Sequence, residues 1–552
     1  MADTNDKRTH PYLPKLVEQL EARKLERREF LRTATLLGMS APVAYGLAGK
    51  VFGPSAFPPA FAQEPLKSGG IIKVSNRVPE VRNPHTFSWV YDSNIVRQHC
   101  EYMTYTDHDN ITHPSLLESW EASDDLKTWT FKVRPGVTWN DGEALVADHL
   151  IWNIEHCLNK NTGSSVLGLM KGYMLDDNDE LWDANAIEKI DDMTFRLNCS
   201  APQLAVPEHF FHYPFLILHP DDGGEFDVGA KGTGAFEVYE IEVGKIVRLR
   251  AKDAYWGDGP YIDEIHFIDH GDDEAAQIGA LSSQQVQGMY EASVTQYQVL
   301  KQIPHLELKE VTTAQTGVAR ARMGEGTPFD DPKVRKAMRL ALDTGQLLQI
   351  GHLNIGAPGE HHHVAPIHPE YAKLPFMHQD IDGAKALLAE AGYPDGFEIE
   401  IACKKDPAWE LITVQACVEM WKQAGINVNI NVLPSAQFWE VWDKVPFGFT
   451  SWTHRPLGVM VLGLAYRSGV PWNESNFSDE EFDALLLEAE GTLDVDARRE
   501  IMEKIEIIMQ ERGPIALPLW RGLFSFWATS VKGFRHHPTS YIFGNQMWLE
   551  EA

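Results

Sequence analysis

The sequence predicts an α/β protein built from more than one domain. Three observations carry this. At 552 residues the chain is longer than a single hydrophobic core organises. Between Phe397 and Val432 a strand, a helix and a second strand follow at the spacing of a βαβ unit, which makes part of the sheet parallel. Alternating strand patterns, helix caps and tight turns recur along the chain with no internal repeat.

Residues are 43% hydrophobic and 23% charged, the balance of a globular protein, and the formal net charge is −30. So acidic a surface excludes nucleic acid as the expected partner, since phosphate backbones are held by basic faces. The first 62 residues differ, carrying 9 Lys/Arg against 6 Asp/Glu. In them Arg27-Arg28 is followed by Phe30-Leu31-Arg32, an Ala/Gly-rich stretch from Thr33 to Gly49, and the A-x-A pattern Ala60-Phe61-Ala62. That order resembles a twin-arginine export signal, with Glu26 where such signals usually carry Ser or Thr. Gln63 is then the expected mature start, in a soluble periplasmic protein without a lipid anchor. No later run approaches the roughly 20 apolar residues of a membrane span. Five cysteines show neither CxxC nor metal-finger spacing. Cys403 and Cys417 fall on a strand and a helix, so no bridge between them is expected.

Gly70 to Ser75 reads as the first strand, ending at Asn76, and Ser93 to Met103 as a helix. Trp129 to Val133 alternates as a strand, Arg134-Pro135-Gly136 turns, and Val137 to Trp139 gives a second short strand before Asn140-Asp141-Gly142. Ala147-Asp148 opens a helix with Leu150, Ile151, Ile154 and Cys157 on one face. Asp331 caps a helix with Pro332 at its first position and an apolar stripe through Val334, Ala337, Met338 and Ala341. Asp382 to Glu390 is another, stopped by Gly392. The βαβ unit follows, with strands Phe397 to Ala402 and Ile426 to Val432 around a helix from about Trp409 to Ala424. Ser478 with Glu481 forms a capping box. The last long helix runs from about Val495 to Arg512, and a strand from Ile515 to Trp520 follows.

The stretch SWEASDDLKTWTFKVRPGVTWNDG with its ADHL helix start resembles the signature of the large substrate-binding proteins of peptide- and nickel-type ABC transporters. GTGAFEVYEIEVGKIVRLRAKDAYWGDG, from Gly232, resembles the GTGPY hairpin of that family, with Ala235 for Pro. PFDDPKVRKAMRLALD, from Pro328, resembles its FDDxRVR helix. The resemblance implies a two-lobed periplasmic-binding-protein fold, type II and cluster C-like, with an additional inserted domain. Mapped here, residues 1–62 are the export signal. Residues 63–97, 232–318 and 518–552 form one lobe, 98–231 the extra domain and 319–517 the other lobe. It also implies a monomeric receptor that hands a small-molecule or peptide ligand to permease subunits served by a separate ATPase, after export through the twin-arginine translocase.

Catalytic patterns are absent: no HExxH, GxSxG, Walker loop or strand-linked GxGxxG occurs. The expectation is therefore a binding protein, not an enzyme, and one without a cofactor. The stretch Phe449 to Asn476 places aromatic rings beside a basic pair on a turn after a strand, the composition of a pocket for a polar ligand. Peptide-binding members of the family hold the ligand ammonium on an acidic residue there, whereas this chain offers His454 and Arg455. Alternation puts Arg320 and Arg322 on one face of a strand, and arginine suits bidentate grip on a carboxylate or phosphate. The expected ligand site is thus Trp452, His454, Arg455, Tyr466, Arg320, Arg322, Tyr290 and Asn76. His361 and His363, alternate members of a histidine run, are the residues that could share a metal ion, which keeps a metal or metallophore receptor as an alternative. His536-His537 is expected at the surface. An exported hydrolase on a borrowed fold is the alternative of another class.

Overall fold

The computed structural model describes residues 10–53, 69–271 and 273–550. A mixed twelve-stranded sheet runs through the molecule. Its two central strands are long, Leu306–Ala321 and Leu519–Ala528, and they pair antiparallel from Leu306↔Ala528 to Thr316↔Trp520 with an irregularity between Thr312 and Gln315. Beyond that point the first strand continues, pairing with Phe447–Trp452 from Thr316↔Trp452 to Ala321↔Phe447 and, on its other side, with the short strand Ile515–Ala516. One strand therefore belongs to two sheet halves, the geometry of a hinge between lobes.

On one side of these strands lie Ile71–Ser75, Glu264–Ile268 and the hairpin Phe236–Glu242 with Ile246–Ala251. On the other lie Phe447–Trp452, Phe397–Lys404 and Ile426–Leu433. The expected βαβ unit is present. Phe397–Lys404 and Ile426–Leu433 pair parallel over eight positions, and the crossover helix is Ala408–Gln423. Each side has its own apolar core, one around Ile72, Val74, Phe236 and Phe267, the other around Val334, Met338, Trp409 and Trp421. A separate four-stranded antiparallel sheet, Leu117–Ala122, Thr128–Val133, Thr194–Asn198 and Ile187–Asp191, sits within residues 98–231 with the helices Ala147–Leu158 and Val166–Met174.

Several local expectations are corrected. The first helix is shorter and earlier, Val90–Val96. Val137 to Trp139 makes only an isolated bridge, Thr138↔Ala144. The cap of Glu480–Glu490 is Asp479, whose side chain accepts from the Phe482 N–H, rather than Ser478. His536 and His537 are buried, not superficial. All five cysteines are free and buried. The N-terminal stretch forms three helices, Leu13–Glu21, Arg27–Leu36 and Ala41–Phe52. Its expected cleavage pattern at Ala60 to Ala62 lies outside the described residues.

Candidate functional site

Where the strand Phe447–Trp452 ends, the chain turns through Thr453 to Leu457 into a wholly buried helix, Gly458–Ala465. This delivers Trp452, His454 and Arg455 to the gap between the lobes. A narrow pocket lies there, lined by Ser88 and Trp89 from one lobe, Tyr213 from the inserted unit, and Trp439, Trp442, Ser451, Trp452, Thr453, Arg455 and Trp472 from the other lobe. Five tryptophans wall it, with ring centroids 5.7 Å apart for Trp89 and Trp439, 5.9 Å for Trp452 and Trp472, and 6.2 Å for Trp442 and Trp472. Trp89 meets Trp439 across the gap, so the lobes are closed on each other.

A second narrow chamber adjoins on the far side of Arg455. Its walls include Asn110, Glu208, His212, His454, His537 and Tyr541. Arg455 lines both spaces and is 4% exposed. One of its terminal nitrogens, Nη1, donates to the hydroxyl of Thr453 and, at 2.9 Å, to the His454 carbonyl. Among the described residues its Nε and Nη2 have no hydrogen-bond partner, and no carboxylate forms an ion pair with it. Its guanidinium carbon stands 5.4 Å from the Tyr213 ring centroid. A buried cation left this way is costly unless something else completes it.

Two further groups of the second chamber are incomplete in the same sense. The Oε2 of Glu208, in a residue 3% exposed, has no partner among the described residues, and burial pushes its carboxyl up to about 7. The Nδ1 of His212 is also unpartnered, while its Nε2 meets Ser165 at 2.8 Å. His454 is fully used: its Nδ1 accepts from the Ala314 N–H at 3.0 Å and its Nε2 donates to Asn110 at 2.9 Å. Burial, with His368 and Arg455 nearby, holds it neutral, well below the usual imidazole range.

The remaining expected site residues fall elsewhere. Arg320 is 0% exposed and points to Glu474 at 3.0 Å, with further bonds to the carbonyls of Val445 and Trp442. Arg322 pairs with Glu325 at 2.9 Å and donates to the carbonyls of Asp443 and Glu474. Both arginines do share one face, but it faces Glu474 and the turn beside it, not the pocket. Tyr466 is buried behind the wall, its hydroxyl 2.7 Å from His363 Nδ1. Tyr290 packs edge-on against Tyr91, and Asn76 holds the carbonyls of Arg77 and Tyr91; neither lines the two chambers.

The histidine run is interior. His361 takes the Leu517 N–H on Nδ1 at 3.2 Å, and His361 and His363 are not part of any metal-binding group of three or more among the described residues. Glu143, His149 and His219 form such a group on the inserted unit. There each imidazole already accepts an N–H on Nδ1, from Trp139 at 3.1 Å and from Asp221 at 3.1 Å. The ring protons are thus on Nε2 and point at Glu143, which is a hydrogen-bond network, not a free donor set.

Residues 112–467, more than half of the chain, match the model of the bacterial extracellular solute-binding proteins, family 5. The chain belongs to this family. It is 23% identical over 507 residues to the dipeptide-binding protein of Escherichia coli K12, covering 85% of this chain and 93% of that one. It is 24% identical over 468 residues to heme-binding protein A of Haemophilus influenzae, covering 78% and 82%. Among solved structures, the binding protein AgaA of A. tumefaciens R10 in complex with agropinic acid superposes with a TM-score of 0.77 at 20% identity, over 87% of this chain and 99% of that one. As a family 5 protein it is a solute receptor with the two-lobed fold. No helix among the described residues is long and apolar enough to cross a membrane.

Trp89, Trp439 and Trp442 were not foreseen as site residues. The i, i+3 spacing of Trp439 and Trp442 around a short helix was the available signal. Glu208 carried no local signal, because its chamber is assembled from segments more than 200 residues apart.

Proposed function

We propose that the chain is the receptor of an ABC importer for a small amphoteric acid, peptide-like or opine-like. In this reading the ligand's carboxylate completes Arg455, its apolar portion lies between the tryptophans, and a donor nitrogen reaches Glu208. The observation that carries it is the buried Arg455 guanidinium, with two nitrogens unpartnered and no ion-paired carboxylate among the described residues. A bidentate carboxylate is what such a fork accepts. The relatives that bind dipeptide or agropinic acid by name support the class, not the compound.

The lobes are taken as residues 63–97, 232–318 and 518–552 against 319–517, with 98–231 inserted. Ligand binding brings walls from both lobes together, so closure is driven by contacts that only the closed form offers. The closed monomer then docks on permease subunits whose separate ATPase supplies the energy. The N-terminal residues, with Arg27-Arg28, are read as the address for the twin-arginine translocase, which places the working protein in the periplasm.

Native mass spectrometry of the chain purified from its own cells tests the reading. A bound small molecule with at least one acidic group and one nitrogen donor is expected. A bound neutral compound, or a metal ion without an organic acid, would overturn it.

A further inference from the structure

The N-terminal helices are not an appendage on the surface. Leu16, Leu20, Phe30, Leu31, Ala34 and Leu36 are each 3% exposed or less and belong to the same apolar core as Trp120 of the inserted unit and Ile505 of the second lobe. Toward the inserted unit, Trp120 donates its indole N–H to the Leu36 carbonyl at 2.8 Å, and Arg32 donates from Nε to the Asn110 carbonyl at 3.0 Å. Gly38, at φ +85, sits so close that a Cβ would meet the Trp120 carbonyl at 2.5 Å. Toward the second lobe, Asp494 receives Lys15 at 2.9 Å, Tyr12 at 3.3 Å and Gln19 at 3.4 Å. Glu29 pairs there with Arg499.

The two sets of contacts fall on two bodies that face each other across the ligand chambers. Asn110 and Glu208 line the second chamber from the inserted unit; Arg455 and Met460 line it from the second lobe. Asp494 and Arg499 stand at the start of the helix Val495–Arg512 of that same lobe. Arg32, 4% exposed, lies within electrostatic reach of both Glu208 and Glu370, one on each body.

We infer that residues 10–53 are a docking segment for the surface formed by Asn110, Trp120, Asp494 and Arg499, and that in docking they tie the inserted unit to the second lobe. The docked segment leaves Arg28 exposed and Arg27 half-buried, but it holds the apolar residues beside them in the fold. Phe30 and Leu31, next to Arg27-Arg28, are 0% exposed, and Arg27 lies over the Tyr45 ring at 5.7 Å. Docking and recognition of this stretch by a transport receptor are therefore alternatives, because a segment held in an apolar core cannot also lie extended in another site. Docking and the approach of the inserted unit to the second lobe favour each other, because both require those two bodies side by side.

Hydrogen exchange on the full-length chain tests docking, and small-angle X-ray scattering tests the tie. In the wild type, backbone amides within Leu13–Glu21 and Arg27–Leu36 are expected to exchange at least 100-fold more slowly than in an unstructured chain. The double variant Asp494→Asn, Arg499→Gln removes contacts on the second lobe alone. It is expected to raise exchange at least tenfold in those two helices, leave the sheet strands Phe397–Lys404 and Ile426–Leu433 protected, and enlarge the ligand-free radius of gyration. Wild-type helices that exchange at the unstructured rate would overturn docking. A double variant with freed helices but an unchanged radius of gyration would overturn the tie between the two bodies.

Discussion

Trp452 and Glu474 are joined by an indole N–H···O bond of 2.9 Å, and the same carboxylate neutralises Arg320 at 3.0 Å. Thr450 also donates to it, at 2.6 Å. One buried acid thus fixes a pocket-lining ring and satisfies a core cation at once. The wall of the pocket is rigid because it is anchored to a charge pair with no access to water.

Removing that acid leaves Arg320 buried without a counter-charge. Glu474→Gln is expected to destabilise the fold by about 3–5 kcal/mol, the cost of breaking one partner of a buried pair. Chemical denaturation followed by tryptophan fluorescence measures it. A change below about 1 kcal/mol would mean that the Val445 and Trp442 carbonyls hold Arg320 on their own.

The tryptophan walls give a direct optical readout. Trp89 and Trp439 touch across the gap, so opening the lobes separates them and ligand entry changes their surroundings. Ligand binding is expected to shift intrinsic fluorescence, and Trp439→Ala to weaken binding by about 1–3 kcal/mol through lost apolar contact while the chain still folds, since Trp439 is only half-buried. Titration of the variant checks both.

Glu208 sets a pH dependence. Its folded carboxyl is raised to about 7 by burial, against an ordinary value of 4.5, so without ligand it is protonated below about 7. Pairing with a donor nitrogen of the ligand requires the ionised form, and binding below pH 7 must release that proton. Affinity is therefore expected to fall as pH falls from about 7, by up to roughly tenfold per unit. Calorimetry in two buffers of different ionisation enthalpy measures the released proton. Glu208→Gln is expected to flatten the profile.

Asp494 sets another, of opposite origin. Burial alone would raise its carboxyl, but the hydrogen bonds from Lys15, the Ala497 N–H and Gln19 outweigh this and hold it at about 2, against an ordinary 3.8. A depressed folded value contributes stability that is present above about 4 and is lost as pH falls toward 2. The N-terminal helices are thus expected to lose exchange protection over that window, ahead of the βαβ unit. Exchange measured at pH 5 and pH 2.5, corrected for the intrinsic rate, reads it.

Much of the architecture was legible because it rests on local pattern. Alternation located Phe397–Lys404 and Ile426–Leu433, Asp331-Pro332 marked a helix start, and the long final helix ran from Val495 to Arg512 as its periodicity indicated. The turn with His454 and Arg455 was legible for the same reason, as aromatic and basic residues on a short connection. What was not legible is long-range. Alternation placed Arg320 and Arg322 on one face, but only the fold reveals that Glu474, some 150 residues on, occupies that face. The N-terminal segment read as an address because its order of residues is local, while its burial depends on Trp120 and Asp494, which sequence does not connect to it.

In the proposed receptor, Arg455 holds an acidic group of the ligand. Titration calorimetry of the ligand recovered from the wild-type protein, against wild type and Arg455→Ala, tests it most directly. A loss of about 2–5 kcal/mol in the variant, with an unchanged denaturation midpoint, is the predicted result. Equal affinity in the two proteins would contradict it.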